Sequence, residues 1–153
     1  MAHIELSVDS KEWVEWAQDH GIDHKITDYI QFKPGNLYTF KPDHTDKTYA
    51  CPRTWEFADR VMKAAGSQAS NTMLMHLLSG VVSEGISREF ITYCKVYEKL
   101  PKPSQLMANP EGIEIPKEPS ILYALTGTIS HNATAENLGS LIKFVRRLPA
   151  EFQ

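Results

Sequence analysis

ACPRTWEFADRVMKAAG, residues 50–66, decides the fold class of this chain. Proline is favoured at the first helical position, where its missing N–H costs nothing, so Pro52 starts a helix. Trp55, Ala58, Met62 and Ala65 then recur at helical spacing, and Gly66 ends the run. The same start lifts Arg53 into the first turn, among backbone N–H groups that have no intrahelical acceptor. Those groups and the positive end of the helix dipole attract anions, and the guanidinium adds a planar donor fork suited to phosphate. A nucleotide phosphate is the ligand these residue types point to.

The same punctuation recurs on both sides of this helix. Asp9 reads as an N-cap with Glu12 three residues on, and Trp13, Trp16 and Ala17 form an apolar stripe that Gly21 terminates. A second helix is expected from Asp23 to Phe32 with Ile26, Tyr29 and Ile30 inward. Pro34 then opens a short turn that carries Leu37 and Tyr38 to the core, and residues 41–49 read as a polar loop. Downstream, Asn71 to Val82 is an apolar helix containing Met73, Leu74, Leu77 and Leu78. A Ser-Glu-Gly turn leads into Ser87 to Leu100, with Phe90, Ile91, Cys94 and Tyr97 on one side, so the two helices are expected to form a hairpin. Five prolines between Pro101 and Pro119 mark an extended connector, followed by helices over Ser120–Ser130 and Ala135–Leu148. The alternation of Ile4, Leu6 and Val8 predicts one short opening strand with no partner in the chain. The expectation is an all-α helical bundle over residues 1–100, with a proline-rich connector and a C-terminal helical extension over residues 101–153.

Composition narrows the function classes. A chain of 153 residues, 42% of them hydrophobic, has the size and apolar content for a packed core. Its formal net charge of −3 disfavours non-specific binding to nucleic acid or to anionic lipid. Cys51 and Cys94 stand far apart with no CxxC pair, which fits free thiols in a reducing compartment. No apolar run approaches the roughly 18 residues of a membrane span, and no basic segment precedes a hydrophobic one at the amino terminus, so a cytoplasmic location is expected.

Cys51-Pro52-Arg53, following an acidic helix and loop and opening an apolar helix, resembles the sensor-2 motif of MoxR-like AAA+ ATPases, usually Ser-Pro-Arg or Thr-Pro-Arg. Residues 8–17 (VDSKEWVEWA), 51–57 (CPRTWEF), 85–90 (GISREF) and 147–153 (RLPAEFQ) are similar, in order and spacing, to a bacterial and phage branch of that group. The resemblance covers most of the chain. It implies a helical lid that follows a Walker-type core, with Arg53 reaching the γ-phosphate of ATP, and with magnesium held by the core. It further implies a ring, in the usual case a hexamer, of chaperone-like remodelling subunits, and often a partner carrying a von Willebrand factor A domain. By the same resemblance Ile4–Val8 is the last strand of the core, and the parent continues past Gln153.

Two departures bear on this. Cys51 stands where Ser or Thr would cap the helix, a replacement that typically loses about 1 kcal/mol. No glycine is followed by lysine, which excludes a GxxxxGK[ST] phosphate loop, and no Asp-Glu pair follows an apolar run. The chain is therefore expected to be catalytically silent and to bind no cofactor by itself. A lid separated from its core is expected, rather than a stand-alone protein, because an opening strand with nowhere to pair seldom begins a domain.

Plainer readings compete at each residue. Taken by itself, Arg53 is more simply a solvated cation or one paired with Glu56 or Asp59; the flanking resemblance reverses that order. Arg60, two turns on, reads as a surface charge, and Trp13, Trp16 and Trp55 as core. His20, His24, His44 and Cys51 have no zinc-ligand spacing, and Cys94 with His76 or His131 lies on an apolar stripe rather than in a nucleophile's setting. The main rival function is DNA binding by residues 71–99 as a helix-turn-helix, with Arg88, Lys95 and Lys99 on the second helix. Glu89, Phe90 and Ile91 around Arg88 speak against groove reading. A structural adaptor that docks a protein partner is the third reading, and it differs only if Arg53 is dispensable.

Overall fold

In a computed structural model the structure describes residues 7–43, 45, 47–97 and 100–152. They are all-α, with eight helices and no strand among the described residues. The expected strand Ile4–Val8 lies mostly outside the described residues, and Ser7 and Val8 have no regular structure. The chain divides into two compact units, Met1–Ile91 and Thr92–Gln153.

The first unit begins with α1 (Ser10–Asp19) and α2 (His24–Phe32), which pack on each other. Asp9 caps α1 by accepting the N–H groups of Lys11 (2.7 Å) and Glu12 (3.1 Å). The buried stripe of α1 is Trp13, Val14 and Ala17, which puts Trp16 on its flank at 38% exposure, stacked on His20, and not in the core as expected. On α2, Ile26, Tyr29 and Ile30 are buried as their spacing predicts. A 3-10 turn over Pro34–Asn36 carries Leu37 inward, but Tyr38, the next residue, points to solvent. One turn of chain cannot bury two successive side chains on the same side.

Helix α3 (Pro52–Ala65) packs against α4 (Asn71–Val82). Gly66 closes α3 at φ +70° and ψ 179°, a region essentially reserved for glycine. Of the four apolar residues assigned to the face of α4, Leu78 is buried and Leu74 half-buried, whereas Met73 and Leu77 are exposed; Val82 completes the packed side. α5 (Glu84–Tyr97) starts three residues before the expected Ser87. Ser83 alone joins it to α4, so α4 packs principally on α3 rather than in a hairpin with α5. Ser87 lies inside the helix because its hydroxyl is satisfied by the Glu84 carbonyl at 2.9 Å, not by a free N–H.

The two glycines make a paired prediction. Nothing stands within 4 Å of a Cβ added at Gly66 or at Gly80, which lies in the interior of α4. Gly80→Ala is therefore expected to raise stability by about 0.5–1 kcal/mol through reduced unfolded-state freedom. Gly66→Ala is expected to lower it by about 1–3 kcal/mol through backbone strain alone. Urea midpoints of the two variants check this, and equal shifts would contradict the assigned backbone geometry.

In the second unit, α6 (Pro103–Ala108), α7 (Pro119–Asn132) and α8 (Leu138–Val145) enclose Leu106, Leu122, Leu125, Ile129, Leu141, Phe144 and Leu148. The connector is thus partly helical. Pro103 serves as a helix start, the Gln105 side chain accepts the Lys102 N–H at 2.9 Å, and Leu106 is fully buried. The expected helix from Ala135 begins only at Leu138. Asn137 accepts the Thr134 N–H and donates to the Asn132 carbonyl, both at 2.8 Å, so its amide holds a turn where a helix would otherwise run.

Candidate site at the start of helix α3

Four fastenings hold the approach to α3. The Thr39 N–H donates to the Ala50 carbonyl at 2.9 Å, and the Ala50 N–H returns to the Thr39 hydroxyl at 3.0 Å. Thr48 donates to the Ser79 carbonyl on α4 at 3.1 Å. At the helix start the Thr54 hydroxyl accepts the Cys51 N–H at 2.8 Å. The third helical residue therefore supplies one half of a capping box, satisfying the N–H of the residue that precedes the helix.

Behind this turn the helix is anchored by Trp55, which is fully buried. Its ring lies 5.7 Å from Tyr29 and 5.4 Å from Phe90, and Tyr29 and Phe90 are 5.3 Å apart. These are the tilted and edge-on arrangements that aromatic rings prefer. Trp55 Nε1–H donates to the Asn36 carbonyl at 3.0 Å. The Asn36 amide donates in turn to the Tyr29 hydroxyl at 2.6 Å and to Glu89 at 3.0 Å, and Glu89 is ion-paired with Lys33. The polar ends of the aromatic cluster are thereby satisfied.

Asp59 gives a second anchor. This buried carboxylate accepts the Asp23 N–H at 2.9 Å and the Lys63 ammonium at 2.7 Å, and Lys63 also donates to the Gly21 carbonyl at 2.7 Å. Asp59→Ala removes an acceptor from a half-buried N–H and is expected to cost about 1–3 kcal/mol. A urea midpoint unchanged from wild type would contradict the anchoring role.

Arg53 itself is exposed. Glu56, the carboxylate three residues on, faces Arg60 at 3.7 Å, and Asp59, six residues on and buried, is paired with Lys63. Among the described residues Arg53 has no hydrogen bond or ion pair. Arg60 lies over the Phe57 ring at 5.7 Å besides facing Glu56.

The remaining candidates are not assembled into sites. Among the described residues no three His, Cys, Asp or Glu side chains are grouped to hold a metal ion, and His44 lies outside those residues. Cys51 and Cys94 are both half-buried free thiols, and His76 and His131 are exposed. On α5, Arg88 is paired with Glu84 at 2.7 Å, and Lys99 lies outside the described residues. The cation nearest the start of α5 is therefore paired, Lys95 is exposed further along the helix, and the joint between α4 and α5 is a single residue. Among the described residues no helix is long and apolar enough to cross a membrane. The chain matches no known protein family, no curated protein and no solved structure.

Proposed function

We propose that this chain is the lid and C-terminal region of a MoxR-like AAA+ remodelling ATPase, with Arg53 as its sensor-2 residue. The observation that carries the reading is the pairing pattern on α3: Glu56 faces Arg60, and Arg53, exposed in the first turn, has no hydrogen bond or ion pair among the described residues. An exposed guanidinium in the first turn of a helix suits a phosphate oxygen, as an electrostatic contact and not as an acid or base. ATP and magnesium, bound by the core, supply the phosphoryl chemistry. Arg53 would stabilise charge at the γ-phosphate and make the lid's position depend on it. The ring, the von Willebrand factor A partner, the cytoplasmic location and the bacterial or phage setting follow from the same proposal.

The test is the coding DNA immediately upstream of this chain in the source genome. The proposal expects an in-frame or adjacent core encoding GxxxxGK[ST] and an apolar run ending in Asp-Glu. A locus that encodes neither would reject it and leave the adaptor reading in front.

A further inference from the structure

We infer that the outer face of α4 is a docking surface for the same face of a second copy, the two helices pairing antiparallel about a two-fold axis. Residues 64–83 contain no Asp, Glu, Lys or Arg, in a chain that is 23% charged, and α4 lies wholly inside that stretch. Its buried residues are Leu78 and Val82. Met73, His76, Leu77 and Gly80, spaced by three and four, share the opposite side and are all exposed. Met73 is 51% exposed and Leu77 42%. A helix that turns two large apolar side chains outward, with no charged group beside them, lacks the polar outer face of an ordinary amphipathic surface helix.

Charge and shape select the occupant. A face without charge offers nothing for a charged partner to read, whereas two copies of it meet with no like charges opposed. Gly80 supplies the gap: it has no side chain, and nothing stands within 4 Å of the place its Cβ would take. Antiparallel pairing about an axis between residues 76 and 77 sets Met73 of one copy over Gly80 of the other, and the two-fold repeats that contact on the far side of the axis. The flexible thioether suits such a gap. At the axis Leu77 of each copy meets His76 of the other. The contact is isologous, so it closes at two copies and builds no ring. Twelve residues of helix span about 18 Å, and two such faces bury less than the roughly 1,200 Å² of a stable interface. The dimer is therefore weak, and because it is apolar, salt does not dissolve it. The inference uses neither Arg53 nor nucleotide, so it stands or falls apart from the proposed ATPase role.

Sedimentation velocity of the full chain over a concentration series tests it. The average sedimentation coefficient is expected to rise toward that of a dimer and no further, at low and at high salt alike. Leu77→Lys sets two ammonium groups close to the axis and is expected to leave a monomer at every concentration. Gly80→Leu fills the gap that Met73 enters and is expected to weaken association about tenfold. The same substitution is expected to raise the urea midpoint of the dilute monomer, because leucine is the better helix former. Opposite signs in the two readouts separate docking from helix stability. Ile142→Lys is the control: Ile142 on α8 is as exposed as Leu77, at 42%, and this variant is expected to associate as wild type does. All three positions are exposed, and circular dichroism verifies that each variant is folded. A monomer up to about 1 mM, growth beyond the dimer, association that Leu77→Lys or Gly80→Leu leaves unchanged, or its loss in Ile142→Lys would each overturn the inference.

Discussion

Trp55→Ala is expected to cost about 3–5 kcal/mol. The indole is fully buried, it completes the ring cluster with Tyr29 and Phe90, and its N–H satisfies the Asn36 carbonyl. Truncation leaves a cavity and an acceptor without its donor, and both terms add. Small domains hold only about 5–15 kcal/mol in all, so the variant should be partly unfolded at moderate urea. Phe57→Ala, two residues along the same helix, removes a ring that is 43% exposed and is expected to change stability by no more than about 0.5 kcal/mol. Urea unfolding followed by circular dichroism compares the two. Similar midpoints would contradict the assigned inward face of α3.

Legibility in the sequence followed locality. Pro52, Gly66 and Asp9 act through backbone groups within four residues of themselves, and the helices they bound lie where their patterns place them. Periodicity located faces less well. Trp16 and Leu77 are apolar residues at helical spacing, yet each lies on the flank of the stripe its helix buries, and only the packed neighbours decide where that stripe ends. The connector is helical where an extended chain is expected, because a proline such as Pro103 equally breaks one helix and starts the next. The turn at Asn137 depends on side-chain amide bonds that composition does not reveal.

At the candidate site, the position of Arg53 in the first turn was readable, and its lack of a partner was not. That depends on where Glu56, the carboxylate three residues on, turns its side chain, and it faces Arg60. One signal was available: Glu56 with Arg60 and Asp59 with Lys63 are both four apart, in the orientation that favours pairing on a helix.

The second large effect is catalytic. A preorganised donor aimed at developing transition-state charge is worth about 100- to 1000-fold in turnover where one has been removed from other enzymes, and Arg53→Ala should cost the assembled ATPase an amount of that order. Arg53→Lys keeps the charge and loses the planar fork, so a partial defect is expected. Neither substitution should shift the unfolding midpoint of this chain, since Arg53 is exposed and touches nothing that holds the fold. Arg60 is the internal control, already occupied by Glu56 and the Phe57 ring. The decisive measurement is ATP turnover at saturating ATP by core and lid together, for wild type, Arg53→Ala and Arg60→Ala in parallel. The account predicts a collapse for Arg53→Ala with Arg60→Ala close to wild type; undiminished turnover by Arg53→Ala contradicts it.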